Sequence, residues 1–213
     1  MPVMGLSEQA LADHTLRDLL DSVAARTPAP GGGSAAALTA SIAAGLVQMA
    51  ARFTRARDDY AQVHERMDEV ADEAGALRER LLELGEHELH AYEPVLEALA
   101  LDAGDPERAA RLRGALSDAA DSPLEIARAA RSVTQLAAEL AATGNANLSG
   151  DAITGAALAE AACSAAARLT EINLARVPSD PRLDEAAELT SQASAARAKA
   201  LGGMDGTKSE GSG

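Results

Sequence analysis

The sequence predicts an all-α protein: a bundle of about six to seven helices around a long central helix built from small residues. Apolar residues recur at three- and four-residue steps along most of the chain, and no stretch alternates apolar with polar residues as a half-buried strand does. Aromatic residues are 1% of a chain that is 47% hydrophobic, and tryptophan is absent, so alanine and leucine must fill the interior through close helix contacts. A length of 213 residues suits one domain with a sizeable core. Residues 1–201 are assigned to that domain, and the polar, glycine-rich residues 202–213 to a disordered tail. Faces made of small side chains also favour wide contacts between subunits, so an oligomer rather than a monomer is expected.

Taken in order, Leu16, Leu19, Leu20 and Val23 fall at helical spacing and predict a first helix from about Ser7 to Arg26. The second begins at Ser34, a good N-cap, after the breaker Pro28-Ala29-Pro30-Gly31-Gly32-Gly33. Its large apolar residues Leu38, Ile42, Leu46, Met49 and Phe53 make one stripe and its alanines cover much of the rest, so other helices should surround it. The third carries Tyr60, Val63, Met67, Val70, Ala74, Leu77, Leu81 and Leu84 in one seam. The next step lands on Glu88, after which Tyr92, Val95 and Leu99 resume the stripe, and Pro94, by freeing the His90 carbonyl, predicts a kink beside Glu88. Pro106 starts a short helix to about Ala119. Ser122-Pro123-Leu124-Glu125 reads as a capping box opening a helix that buries Ile126, Val133, Ala137 and Leu140 and stops at Gly144. A further helix runs from about Asp151 to Leu174 with Ile153, Leu158, Ala165, Leu169 and Ile172 inward. The last follows Ser179-Asp180-Pro181 and runs to roughly Leu201.

A net charge of −14 argues against nucleic acid or an anionic membrane as the main partner. The uncharged run from Gly31 to Ala51 is long enough to tempt a transmembrane reading. It is mostly alanine and glycine with Thr39, Ser41 and Gln48 inside, which fits a buried central helix better. The single cysteine, Cys163, lies among alanines and reads as a small buried residue; with no basic-then-apolar leader, a cytoplasmic protein is expected.

Three features carry candidate chemistry. The loop Gly31, Gly32, Gly33, Ser34 presents backbone amides at a helix start, where partial positive charge holds a carboxylate or phosphate and missing side chains admit a flat ligand. The alternative is a turn that lets two helices cross closely. It lacks the lysine of a phosphate-binding Walker loop. Glu88 places a carboxylate on an apolar seam, either as a functional group or as the salt-bridged or solvated end of a buried face. The connector Gly144-Asn145-Ala146-Asn147-Leu148-Ser149-Gly150-Asp151 is dense in ligand-binding and capping side chains, and Asn173 closes the helix it opens.

Together these residues resemble the formiminotransferase-cyclodeaminase C-terminal family, also called the cyclodeaminase/cyclohydrolase family. The resemblance rests on LLDSVAARTPAPGGGSAAALTASIAAGLVQMAARFT, on ELHAYEPVLEAL, SPLEIA and GNANLSGDA, and on INL at Ile172 to Leu174, over roughly residues 7–201. It implies an all-helical domain, an intertwined homodimer, that cyclises formimino-tetrahydrofolate with loss of ammonia or hydrolyses methenyl-tetrahydrofolate to the formyl form. A free-standing chain of this length is more similar to the cyclohydrolases. No metal and no tightly bound cofactor is implied; a tetrahydrofolate derivative is the substrate. The chain departs from the family pattern at Glu88 for aspartate, Gly150 for serine, Leu169-Thr170 for Asn-Val, and in lacking a Pro-Lys after the third long helix. Those departures keep open a non-catalytic helical dimer, or an enzyme of another small molecule on the same fold.

For hydrolysis of an amidinium cation, a base must deprotonate water at the reacting carbon. Asp151 and Glu88 are the candidates, Asp151 first because its motif is better kept. Asn145, Asn147 and Asn173 are expected to bind pterin edges or orient the carboxylates, or else to cap helices. Gly31 to Ser34 are expected to hold the substrate. Both carboxylates are expected in one polar pocket near Ser34.

Overall fold

Helix α2 (Gly32–Arg55) is the hub of the protein, packed along its length against α3 (His64–Glu88), α7 (Ser149–Asn173) and α6 (Asp121–Thr143). The computed structural model describes residues 10–202, which hold eight α-helices and no strand. The others are α1 (Leu16–Ala24), α4 (Glu93–Ala100), α5 (Arg108–Asp118) and α8 (Pro181–Gly202), which completes the bundle against α6 and α7. α4 and α5 form a hairpin with its own small core of Val95, Ala98, Leu112 and Ala119.

The packing follows from side-chain size. Ala36, Ala37, Ala40, Ala43, Ala44, Val47, Ala50 and Ala51 bury one side of α2, and Ala152, Ala156, Ala159, Ala162, Cys163 and Ala166 do the same on α7. Small faces let the helix axes approach, so many weak dispersion contacts replace the few large ones of an aromatic core. A Cβ added at Gly155 would already touch the Ala43 carbonyl at 3.4 Å. By length and composition α2 is apolar enough to cross a membrane, but most of that stretch is buried inside the bundle. Cys163 is buried, and desolvation pushes its thiol up to about 11.

A polar ladder fixes the register of α2 against antiparallel α3. Ser34 Oγ donates to the Gly85 carbonyl at 3.0 Å, Ser41 Oγ to Arg78 at 3.1 Å, and Gln48 Nε2 to Ala71 at 3.0 Å. Residues seven apart return to the same helix face after two turns, so both partners of the ladder step by seven. Each bond contributes roughly 1 kcal/mol, and sliding the helices would leave buried polar groups unpaired, which costs more. Forked arginines join the remaining helices. Arg66 binds both oxygens of Glu139 at 2.6 and 2.8 Å across α3 and α6, and Arg128 binds Glu185 at 2.6 and 2.7 Å across α6 and α8.

Several elements differ from expectation, each for a local reason. The first helix starts at Leu16, because Thr15 caps it by accepting from the Asp18 amide; a 3₁₀ turn over Leu11–Asp13 precedes it, and residues 1–9 lie outside the described range. α2 begins at Gly32, since Ser34 spends its hydroxyl on Gly85 rather than as a cap. Its large apolar stripe faces outward, with Ile42 62% and Phe53 58% exposed, so other helices do not surround it within the protomer. The third helix ends at Glu88 instead of kinking, and Pro94 sits in the first turn of a separate α4, where its missing amide costs nothing. Of the resumed stripe only Val95 is buried. The capping box at Ser122 does not form, because α6 starts one residue earlier at Asp121. On α7, Ile153, Leu158 and Leu169 are partly buried, while Ala165 and Ile172 are exposed because the alanine face takes the core. Ile126, Val133, Ala137 and Leu140 are buried as the periodicity predicts. The tail from residue 203 lies outside the described range.

Candidate functional site

Glu88 stands at the last position of α3, one step beyond Leu84 on the seam that faces α2, so helical periodicity carries its carboxyl to the start of α2. That start is bare. Gly31 is the N-cap and offers no side chain, and the first bond within the helix runs from the Ala35 amide to the Gly31 carbonyl. Gly33 is buried against the carboxyl: a Cβ built there would lie 1.8 Å from Glu88 Oε2 and 2.5 Å from its Cδ. Gly31 and Gly32 are exposed, and a Cβ on Gly32 would meet only Leu169 of α7, at 3.7 Å.

Glu88 makes no ion pair among the described residues, and its Oε1 is buried without a hydrogen-bond partner. Burial raises its pKa above the ordinary carboxyl range; Ser122 and the neighbouring His87 favour the charged form without overcoming that burial. The salt-bridged alternative for Glu88 is therefore not what forms among the described residues. Ser122, in the first turn of α6, has a buried hydroxyl that is likewise unpartnered. Sequence reading took Ser122 as a helix signal and missed it as a site residue, although it sits in the SPLEIA motif.

The remaining candidates are distributed as follows. Ser34 is buried and bonded to Gly85, so it ties α2 to α3 beneath the site. Asn173 donates from Nδ2 to the Ala119 carbonyl at 2.8 Å, fixing the end of α7 to the corner between α5 and α6. Arg182 braces the same corner, bonding Ser117 through carbonyl and hydroxyl, Asp121 and Asp180.

Asn145, Asn147 and Asp151 are elsewhere. The Asn145 amide donates to Thr54 Oγ1 at 3.0 Å, at the far end of α2, and its side chain accepts from the Asn147 amide at 3.1 Å. Asp151 lies in the first turn of α7. α7 runs antiparallel to α2, and the eighteen residues between Asp151 and Leu169 span about 27 Å at the rise of an α-helix. Asp151 and Glu88 therefore do not share a pocket near Ser34 within one protomer. Local motifs could not show this, because the separation is set by the length of α7. Among the described residues, no group of three or more His, Cys, Asp or Glu side chains is placed to hold a metal ion.

The chain is similar to known proteins in sequence and in fold. The chain is 33% identical over 144 residues to the methenyltetrahydrofolate cyclohydrolase of Methylorubrum extorquens, covering 66% of this chain and 69% of that protein. It is 33% identical over 142 residues to the formimidoyltransferase-cyclodeaminase of Mus musculus, covering 65% of this chain but only 26% of the mouse protein. The crystal structure of formiminotetrahydrofolate cyclodeaminase from Thermotoga maritima superposes with a TM-score of 0.81 at 26% identity, over 92% of this chain and 98% of that one. The family model for formiminotransferase-cyclodeaminase matches residues 15–197, and the chain belongs to that family.

Proposed function

We propose that this protein is a folate one-carbon enzyme that hydrolyses 5,10-methenyltetrahydrofolate to 10-formyltetrahydrofolate, with Glu88 handling the proton. The observation that carries the reading is the half-buried Glu88, whose Oε1 is buried without a partner and whose Oε2 is set against the bare first turn of α2. The similarity to the Methylorubrum protein supplies the substrate class.

Ionised Glu88 accepts a proton from the water that attacks the methenyl carbon. It returns that proton to the departing ring nitrogen as the carbon–nitrogen bond breaks, while the remaining hydroxyl proton passes to solvent and its electron pair forms the carbonyl, leaving the formyl group on the other nitrogen. A carboxyl with a raised pKa suits both halves of the cycle. The exposed backbone of Gly31 and Gly32, beside Leu169, offers a flat surface with apolar flank for the pterin. A second reading, cyclisation of formiminotetrahydrofolate with loss of ammonia, is favoured by the same raised pKa, since a protonated carboxyl is the acid the departing ammonia needs.

The working unit in this proposal is a homodimer. Ile42 and Phe53 leave an apolar stripe on α2 uncovered, and Gly45, near its middle, has nothing within 4 Å of the place a Cβ would take. A two-fold axis at Gly45 sets the far end of one α2, with its neighbouring Asn145–Asp151 connector, beside Gly33 of the other. The two halves of the motif set, separated in one chain, then meet across the interface. The test is to follow loss of methenyl-tetrahydrofolate absorbance with purified protein, with formimino-tetrahydrofolate assayed beside it and mass measured by light scattering. Hydrolysis by a dimer is expected. Turnover of the formimino substrate alone favours the second reading, and inertness toward both overturns the proposal.

A further inference from the structure

We infer that Ser122 is a positioning residue of the Glu88 site: its hydroxyl is the hydrogen-bond partner of the Glu88 carboxyl in the reaction and determines which oxygen carries the proton. This rests on the reading of Glu88 as the acid–base group. Ser122 is 5% exposed and its Oγ has no partner within normal hydrogen-bond geometry; Glu88 Oε1 is likewise without one, and the Ser122 hydroxyl is close enough to act on the Glu88 carboxyl. Buried polar atoms without partners are rare and costly, and an acceptor and a hydroxyl left so in one site mark a place where something else completes the bonding.

The behaviour of neighbouring hydroxyls sharpens the case. On α6, Ser132, Thr134 and Thr143 each donate to the carbonyl four residues back, at 3.1, 2.9 and 2.9 Å. Ser122 makes no such bond, and it is not a cap, because α6 is entered at Ala120 without any side-chain cap. The serine thus serves neither of the structural roles open to it. Its proton and lone pairs stay available to the carboxyl, to a water between the two, or to the substrate.

The charges around this pair are few. On α3, His87 is exposed, and Glu86 accepts from the Leu11 amide. On α6, Asp121 is bound by Arg182 of α8. On α7, Arg168 and Glu171 neutralise each other, and α2 carries no titratable side chain before Arg52. Ser122 is therefore the principal neutral group through which the protein adjusts the Glu88 proton. It favours the ionised carboxylate, so removing it moves the titration upward.

The experiment compares wild type, Ser122→Ala and Ser122→Thr by two readouts: the pH profile of turnover, and the titration of side-chain carboxyls by NMR in protein labelled with ¹³C at the glutamate carboxyl. Glu88→Gln identifies the Glu88 resonance. Ser122→Ala should move both the profile and the resonance midpoint to higher pH and lower kcat roughly tenfold, with KM little changed, on the scale of one hydrogen bond to a charged group. Ser122→Thr, which keeps the hydroxyl, should restore both. If Glu88→Gln is inactive while Ser122→Ala titrates and turns over as wild type does, the role of Ser122 is overturned and that of Glu88 stands. If Glu88→Gln keeps full turnover, both fall. Should Ser122→Ala fail to fold, Ser122→Cys, similar in size and a weaker donor, gives the same comparison.

Discussion

Glu88 Oε2 occupies the space that a side chain at Gly33 would need, a Cβ there falling 1.8 Å away. The glycine run at the start of α2 therefore makes room for a carboxyl of the protein itself at its third glycine, while the first two remain open. Gly33→Ala should act on Glu88. Alanine favours a helix interior by about 1 kcal/mol, and the colliding atoms are the far end of a flexible side chain, so the fold should hold. The displaced carboxyl should cost roughly 100-fold in turnover. Gly32→Val, by contrast, fills the open approach and should raise KM more than it lowers kcat. Steady-state kinetics beside thermal melts of both variants check this.

The fold tolerates the buried carboxyl at a cost that depends on pH. Because the folded-state pKa of Glu88 lies above its unfolded value, the folded protein holds that proton more tightly. The stability this contributes is fully present below the unfolded carboxyl pKa and is lost as pH rises through the folded one. Glu88→Gln should accordingly melt higher than wild type at neutral pH, with the difference shrinking in acid. Melting curves across that range test the sign.

Much of this was legible in the sequence, and the failures share a cause. The seam of α3 led from Leu84 to Glu88 by one helical step, so local periodicity sufficed to find the unusual carboxyl. It did not suffice for α2 and α7, where Ile42, Phe53 and Ile172 are exposed while alanines are buried. Hydropathy ranks a large side chain as more buried than alanine, but close helix packing selects for size. Ser122 was obscured by the capping box it spells with Glu125, whose carboxyl instead pairs with Arg128 one turn further along α6. The distance between Glu88 and Asp151 depends on how α7 is laid against α2, and no local motif contains it.

The ladder between α2 and α3 predicts a stability effect away from the site. Gln48 donates to Ala71 and accepts from Arg78 at 2.9 Å. Gln48→Leu should cost about 1–3 kcal/mol in urea unfolding by removing both bonds across the helix pair, with no loss of turnover beyond that from unfolding.

Arg182 predicts a different pairing of effects. Its guanidinium holds the Asp180 carboxyl down at about 2, so that contribution is present above the ordinary carboxyl range and lost as pH falls through about 2. Arg182→Ala should destabilise the protein at neutral pH and by a smaller amount near pH 2, where only the bonds to Ser117 remain to be lost. Because Arg182 also holds Ser117 and Asp121 beside Ser122, turnover should fall as well. Denaturant melts at the two pH values, with kinetics, check both halves.

The most direct test of a Glu88-centred site completed by a second copy is subunit mixing. Glu88→Gln and Asp151→Asn homodimers should each be inactive. Mixed one to one, unfolded and refolded together, they should regain about one quarter of wild-type turnover, because each mixed dimer holds one site free of both lesions. No recovery from two inactive, correctly refolded parents, or full turnover by the Glu88→Gln homodimer, would contradict the account.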